Sequence, residues 1–219
     1  MLDISHTMEI FNPLIYKKGI TIIGVGATGG NLAVALARTG VERLDIYDFD
    51  KVESHNMTNQ VWTVDQIGMF KEDALIENLL KINPEMKITK HGKWDGQLLT
   101  GIVINAVDSM ELRKAIYEAN KYNPNIDLMI DPRLGVPDSQ IITDTWDMNK
   151  ADFFISQSLV KDDELDVVKS ACGTPQNIST TMMLTVTFIL TNIIKFIKGE
   201  TFKRIIHTNV MNYAVRSWE

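Results

Sequence analysis

The sequence has one cysteine among 219 residues, only four histidines and no excess of positive charge. The single cysteine, Cys172, excludes an internal disulfide and any cysteine-based zinc cluster. The histidines have no metal-ligand spacing, so a structural metal site is not expected. The formal net charge of −6 argues against a general nucleic-acid binder, which is normally basic.

Long apolar runs are also scarce. Residues 1–18 have no basic head followed by an apolar core, so we expect no secretory signal and a cytoplasmic location. The most apolar segment, residues 181–197, is shorter than the ~20 apolar residues that a membrane span needs, and it contains Lys195. We therefore predict a buried core helix there and no membrane partner.

Strand-like and helix-like segments alternate along most of the chain. GITIIGV is a β-branched run that ends in glycines, NLAVALARTG has helical composition, and RLDIYDFD is typical of a second strand. Further strands are predicted in MKITKH, GIVINAVD, IDLMIDPRLG and SQIITDTWD, with helices in FKEDALIENLLKIN and SMELRKAIYEANKY. This alternation predicts an α/β fold with a Rossmann-like, doubly wound and mostly parallel sheet, covered by helices on both faces.

The domain organisation is predicted to be simple. Residues 1–219 are expected to form one domain, with residues 1–18 as an N-terminal segment. Periodicity fades over residues 149–179, which we interpret as a long crossover loop. The long helix follows, and FKRIIHTNVMNYAVRSW closes the chain as one or two strands.

Gly24, Gly26 and Gly29 form a G-x-G-x-x-G motif directly after the first predicted strand. Such glycines permit a tight turn and let a phosphate approach the backbone and the helix N-terminus. Asp48, at the end of the second strand, lies where a carboxylate accepts ribose hydroxyls. These features predict a nucleotide site that suits NAD and ATP equally, with a purely structural glycine turn as the alternative.

The residues after Asp48 favour ATP. A polar excursion leads to a helix with Lys71 near its start, from which an ammonium group can reach phosphates. Asp108 follows the fourth strand, and a carboxylate that faces a triphosphate is best explained by Mg²⁺ between them. The alternatives are that Lys71 is a solvated first-turn residue and that Asp108 caps a helix. All these features at strand ends together predict Mg·ATP.

Taken together, these segments resemble the ThiF/MoeB/HesA family, the bacterial relatives of ubiquitin-activating enzymes. The matching motifs are IIGVGATGG, DFDKVESHN with NQ closing the run, IGMFK, NAVDSMELR and CGTPQNIS before a long helix. The resemblance implies an ATP-dependent adenylyltransferase, in which a protein C-terminal carboxylate attacks the α-phosphate of ATP and pyrophosphate leaves. It also implies a homodimer and a partner that is ubiquitin-like, or another small protein with a C-terminal glycine.

The resemblance also gives roles to individual residues. Asp48 would hold the ribose, Asn56 and Lys71 would contact phosphate, and Asp108 would bind Mg²⁺. The cofactor-binding residues so implied are Gly24, Gly26, Gly29, Asp48, Asp50, Asn56, Gln60 and Lys71. Cys172 stands where related enzymes carry a cysteine that accepts the acyl group; a small residue packed against the helix is the alternative.

Two departures from the family pattern concern positive charge. Asn59 stands where the family usually has arginine, and residues 1–18 contain no arginine of the kind that a partner subunit often supplies. Arg133, in DPRLG, is a candidate to replace the missing charge in catalysis. The losses leave open a catalytically degenerate, nucleotide-binding scaffold of the same fold. An NAD(P)-dependent oxidoreductase is a third hypothesis, which rests on the glycine motif alone.

Overall fold

A computed structural model describes residues 2–147, 154–159 and 178–219. Within these ranges eight strands form one sheet. The strands are β1 (Ile20–Ile23), β2 (Arg43–Tyr47), β3 (Lys87–Lys90), β4 (Gly101–Asn105), β5 (Ile126–Leu134), β6 (Asp138–Thr145), β7 (Ile205–Asn209) and β8 (Ala214–Trp218). The α-helices are α1 (Ser5–Met8), α2 (Ala27–Arg38), α3 (Lys71–Ile82), α4 (Met110–Asn120), α5 (Phe154–Gln157) and α6 (Ser179–Ile197). Short 3₁₀ turns span Pro13–Ile15, Ser54–Thr58 and Val64–Gln66.

The sheet has the order β3-β2-β1-β4-β5-β6-β7-β8. Strands β1 to β5 pair in parallel, whereas β6, β7 and β8 add as antiparallel strands. The strand order reverses between β1 and β4, and ligands of open α/β sheets bind outside the carboxyl ends of the strands at such a point. The Rossmann-like, mostly parallel prediction is confirmed, and the fold directs attention to the crevice above β1 and β4.

Helices cover both faces of the sheet. On one face α2, α3 and α6 pack on a cluster that includes Ile22, Ile46 and Ile104. On the other face the side chains of α4 and α5 join a second cluster with Val103 and Met129. Because both faces are covered, β1 and β4 are buried along their whole length, as is usual for parallel strands.

Helix α6 is the long apolar helix of the sequence. By length and composition it could also cross a membrane. In the structure its buried face packs against α2 and strands β5 to β7. Asn192 on this face donates hydrogen bonds to Thr143 Oγ1 (2.9 Å) and to the Lys203 carbonyl (2.8 Å). These contacts agree with the predicted core helix.

The segment predicted as a crossover loop contains one described element, α5. Its backbone is held to the sheet, because the Ile155 N–H donates to Asp144 Oδ2 (2.9 Å) and Arg133 Nη1 donates to the Ser158 carbonyl (2.6 Å). A helix of four residues is too short for periodicity to reveal. Cys172 lies outside the described residues. The single-domain organisation stays a prediction.

Candidate nucleotide site

The glycine loop after β1 packs closely against the end of β4 and the start of α2. Gly24 has φ +84°, and a Cβ there would lie 2.8 Å from the Ala106 carbonyl oxygen. A Cβ on Gly29 would lie only 2.0 Å from the Gly24 carbonyl oxygen, so α2 packs directly on the loop. Gly26 is different: it begins α2 as the N-cap, and the nearest atom to its hypothetical Cβ is Gln60 Nε2, at 4.0 Å. Two of the glycines therefore serve packing, and Gly26 faces open space at the helix N-terminus.

Asp48 follows β2 and reaches across to the glycine loop. Its Oδ2 accepts the Val25 N–H (2.8 Å) and its Oδ1 accepts the Asp50 N–H (2.8 Å). Burial raises the pKa of Asp48, although both hydrogen bonds and the charge of Lys71 act in the opposite direction. Each carboxylate oxygen has two lone pairs and uses one of them here. Asp48 can therefore accept two further hydrogen bonds, as two ribose hydroxyls would require.

Lys71 begins α3 and is buried, with a side chain 10 % exposed. Its Nζ lies 3.0 Å from Asp50 Oδ2, and its N–H donates to the Asp50 carbonyl (2.9 Å). It is therefore no solvated first-turn lysine. An ammonium group has three donors, so Lys71 can bind Asp50 and a phosphate oxygen together.

The excursion between Asp50 and Lys71 is closed at its base. Lys51 and Phe70 form an antiparallel bridge, and the Val52 N–H donates to the Met69 carbonyl (2.9 Å). These backbone contacts bring the two ends of the excursion together, and so they hold Asp50 beside Lys71.

Gln60 lies at the far end of the excursion, beside the glycine loop. The Trp62 indole N–H donates to Gln60 Oε1 (2.7 Å). An indole nitrogen is a donor only, so this bond fixes which end of the amide faces Trp62 and directs the Gln60 amino group elsewhere. That group is the one near Gly26, where it is available to an anion. Asn59 is held by its backbone, because Asn31 Nδ2 donates to its carbonyl oxygen (3.0 Å).

Asn56 is buried and shapes the 3₁₀ turn that it belongs to. Its Oδ1 accepts the Glu53 N–H (2.9 Å), and the Glu53 side chain accepts the Asn56 N–H in return. This reciprocal pair is a capping box. The contact with phosphate that the family resemblance implies for Asn56 stays a prediction.

Asp108 is exposed just beyond β4, two residues after the Ala106 carbonyl that touches the glycine loop. Ser109, not Asp108, caps the next helix, since Ser109 Oγ accepts the Leu112 N–H (3.2 Å). The capping alternative for Asp108 is therefore not supported. Asp108 follows the carboxyl end of β4, two residues beyond the carbonyl that approaches the glycine loop.

Arg113 supports this edge from α4. It is buried and donates to the carbonyl oxygens of Asn105 (2.8 Å) and Val107, and it pairs with the buried Asp131. Burial lowers the pKa of Arg113, and the charge of Asp131 opposes that shift. Arg113 therefore fixes the backbone on both sides of Ala106, directly before Asp108.

Arg133 shares the same buried carboxylate. Its Nη2 donates to Asp131 Oδ2 (2.9 Å) and to Ser158 Oγ (2.9 Å), while Nη1 donates to the Ser158 carbonyl. Both terminal nitrogens are thus engaged with protein groups. Three of the five guanidinium donors are used in these bonds, and Nε has no partner within the described residues. The proposed replacement of a missing phosphate-binding arginine by Arg133 stays a prediction.

The residues present are compatible with Mg²⁺. The described part of the chain contains no cluster of three or more His, Cys, Asp or Glu that could hold a metal by protein ligands alone. Mg²⁺ in nucleotide sites does not need such a cluster, because it takes one or two carboxylates and completes its shell with phosphates and water. Asp108, exposed at the site edge, fits that requirement.

Two buried carboxylates near the site were not predicted from the sequence. Glu72 is 6 % exposed and accepts three backbone N–H groups at the ends of β2 and β3. Asp131 is fully buried between two arginines. Glu72 looks like any acidic first-turn residue of a helix, so the sequence carries no signal for its role. For Asp131, the only signal was an aspartate in the middle of an apolar strand.

The chain is similar in sequence to known proteins. The sequence model of the ThiF family matches residues 14–218. Ubiquitin-like modifier-activating enzyme 5 of Culex quinquefasciatus is 34 % identical over 48 % of this chain and 31 % of its own length. The Drosophila willistoni enzyme of that name is 33 % identical over 51 % of this chain and 32 % of its own. The chain thus spans about a third of the length of these relatives.

Solved structures share the fold at low sequence identity. E. coli MccB with MccA-N7isoASN superposes with TM-score 0.78 and 17 % identity, covering 94 % of this chain and 65 % of that one. E. coli MccB with ATP gives TM-score 0.75 and 16 % identity, covering 94 % and 64 %. PaaA gives TM-score 0.72 and 16 % identity, covering 96 % and 68 %.

Proposed function

The chain belongs to the ThiF family, and from that premise we propose that it binds Mg·ATP and adenylates the C-terminal carboxylate of a small protein or peptide. One observation carries the proposal: Asp48, with lone pairs left for ribose, stands between the glycine loop and the buried Lys71. Asp108 follows β4, the strand that pairs with β1 at the carboxyl edge of the sheet. If the protein were an NAD(P)-dependent oxidoreductase, the Asp50–Lys71 pair would have no role in its function.

In the proposed reaction a carboxylate oxygen attacks the α-phosphorus of ATP. The bond from that phosphorus to the oxygen bridging to the β-phosphate breaks, and pyrophosphate leaves with the electron pair. No proton needs to move, so the work of the site is positioning and charge stabilisation. Asp48 would orient the ribose, and Lys71, the Gln60 amide and the backbone N–H groups at the start of α2 would donate to phosphate oxygens. Mg²⁺ held by Asp108 would supply charge neutralisation.

The proposed substrate is a protein or peptide chain end. Relatives are named for activating ubiquitin-like modifiers, and MccB is seen with MccA. We propose a ubiquitin-like protein or another small protein with a C-terminal glycine as the partner. Transfer of the acyl group to Cys172, a homodimeric assembly and a cytoplasmic location are further parts of this proposal.

A binding-only scaffold is the second candidate, and one observation favours it. Two candidate phosphate-binding cations have their charge partly neutralised by a carboxylate: Lys71 pairs with Asp50, and Arg133 pairs with Asp131. Asn59, where the family usually has arginine, adds no charge. Under this hypothesis the protein binds ATP without transferring the adenylyl group.

The first test is calorimetric titration with ATP in the presence and absence of Mg²⁺. We expect Mg²⁺-dependent binding that Asp108→Asn loses and Glu118→Gln keeps. Glu118 is an exposed carboxylate on α4, so the control removes the same charge outside the site. Binding of NADH without ATP would contradict the proposed function.

The second test separates the enzyme from the scaffold. ATP–pyrophosphate exchange is measured with a synthetic peptide that ends in Gly-Gly, and then with candidate small proteins. Exchange that depends on the peptide and is lost in Asp108→Asn would support adenylation. Tight ATP binding with no exchange for any carboxylate would favour the scaffold.

A further inference from the structure

Glu72 stands at the first turn of α3, directly after Lys71, and its carboxylate points at the sheet. One oxygen, Oε1, accepts the N–H groups of Asp48 (3.3 Å), His91 (3.1 Å) and Gly92 (2.8 Å). Asp48 follows β2, and His91 and Gly92 follow β3. A single buried carboxylate oxygen therefore connects the ends of two neighbouring strands.

The position of these bonds matters because the β2–β3 ladder stops there. The last paired residues are Ile46 and Lys90, and the His91 N–H still donates to the Ile46 carbonyl (3.0 Å). Beyond that point the strands separate, and Glu72 Oε1 supplies the acceptor that a further rung would have supplied. A buried N–H without an acceptor is costly. Glu72 thus extends the ordered part of β2 as far as Asp48.

Asp48 is in turn held from three directions. Its N–H is bound by Glu72, and its two carboxylate oxygens accept N–H groups from Val25 and Asp50. The two carboxylate contacts hold the side chain, whereas two other bonds hold the Tyr47–Asp48 peptide group: Glu72 accepts its N–H, and its carbonyl accepts the Gly24 N–H (2.8 Å). Groups that recognise a ligand must be held within about 0.5 Å of their productive geometry, which requires support of this kind.

We propose that Glu72 is a positioning residue for ribose recognition, which acts through Asp48. The inference rests on the proposed function, because it assumes that Asp48 accepts ribose hydroxyls. It assigns Lys71 and Glu72, neighbours in sequence, to different tasks: Lys71 faces Asp50 and the phosphates, and Glu72 holds the backbone that carries the ribose ligand.

The test compares the affinity of ATP with those of 2′-deoxy-ATP and 3′-deoxy-ATP. A hydroxyl bound to a carboxylate gives about tenfold preference or more for ATP in the wild type. We expect Glu72→Ala to lose most of this preference while Mg·ATP still binds better than AMP, since the phosphate contacts remain. Glu72→Gln keeps an acceptor oxygen of the same shape, and so we expect it to restore part of the preference.

Asp73→Asn is the matched control. Asp73 is the next residue of α3 and pairs with Lys90 at the surface. The substitution removes the same charge from the same helix turn as Glu72→Gln does. We expect its ATP preference to equal that of the wild type. Should Glu72→Ala fail to fold, the comparison of Glu72→Gln with Asp73→Asn decides the question, with faster amide hydrogen exchange at Asp48, His91 and Gly92 expected only in Glu72→Gln.

The outcomes are distinguishable. Wild-type protein that binds no ATP would overturn the proposed function and this inference with it. Wild-type protein that prefers ATP over the deoxy analogues, with the same preference in both Glu72 variants, would overturn the inference alone. A merely structural Glu72 would weaken all nucleotides equally and leave the ratio of affinities unchanged.

Discussion

Alanine substitution is expected to affect two glycines of the same motif differently, lowering stability at Gly29 and nucleotide affinity at Gly26. In Gly29→Ala the new Cβ would lie 2.0 Å from the Gly24 carbonyl oxygen and 2.9 Å from Ile22 Cγ2. An ordinary contact is 3.4 Å or more, so α2 must move away from the loop by about 1.4 Å. In Gly26→Ala the nearest atom is 4.0 Å away and φ is −72°, which any residue adopts.

The size of the effects follows from these distances. The Gly29→Ala overlap is with backbone, which has no rotamer to relieve it, so we take the upper end of overpacking costs, about 3 kcal/mol. Alanine returns about 1 kcal/mol of helix propensity. The net loss of about 2 kcal/mol corresponds to a Tm lower by about 4–8 °C for a chain of this size. Gly26→Ala should change the unfolding free energy by less than about 0.5 kcal/mol.

For nucleotide binding, the direct effect is expected from Gly26→Ala and not from Gly29→Ala. The Gly26→Ala methyl group would stand between the Gln60 amide and the helix N-terminus, where phosphate must approach the backbone. We expect at least a roughly tenfold loss of ATP affinity in a protein of wild-type stability. Thermal unfolding by circular dichroism and calorimetric titration measure the two effects. Gly29→Ala with an unchanged Tm, or stable Gly26→Ala that binds ATP as the wild type does, would refute the reasoning.

Three other expectations concern single side chains. Burial raises the pKa of Asp48, so ionising its carboxyl group destabilises the folded protein. Relative to Asp48→Asn, the wild-type free energy of unfolding should fall as the pH rises from about 3.9 through the raised pKa. A difference between the two proteins that does not change with pH would contradict this. Asp131→Asn leaves the buried Arg113 and the partly buried Arg133 without their shared counter-charge; denaturant unfolding should show a loss of about 3–5 kcal/mol, and a loss below about 1 kcal/mol would argue against this network. Ser109→Ala removes the N-cap of α4 and should cost about 1 kcal/mol by the same assay, whereas no loss would mean that another group caps the helix.

Local signals were enough to predict most elements of the parallel half of the sheet. The β-branched run before Gly24 predicted β1, and Gly40, with φ +85°, follows the C-cap of α2 at a position that favours glycine. Ser109 lies directly before an amphipathic run, the usual place of a helix N-cap, and it caps α4. These features depend on residues close in sequence, so a single chain reveals them.

The unpredicted parts depend on contacts between distant residues. Glu72 is one of several acidic residues near a helix start, and only the arrival of His91 and Gly92 beside β2 gives it three partners. The role of Asp131 depends on its ion pair with Arg113, which lies 18 positions away on another element. Sequence motifs predicted which strand ends carry the candidate site, but the buried groups that hold those ends required coordinates.

The closed base of the polar excursion has a consequence for how this site can change. Lys51 and Phe70 pair across it, so the backbone places Lys71 beside Asp50 whatever residues lie between them. The entropy of closing a loop grows only slowly with its length. Changes at the exposed residues 63–65 would therefore alter the surface of the excursion while Asp50 and Lys71 at its base stay in register. Evolution or protein engineering could therefore change this surface without altering the nucleotide site.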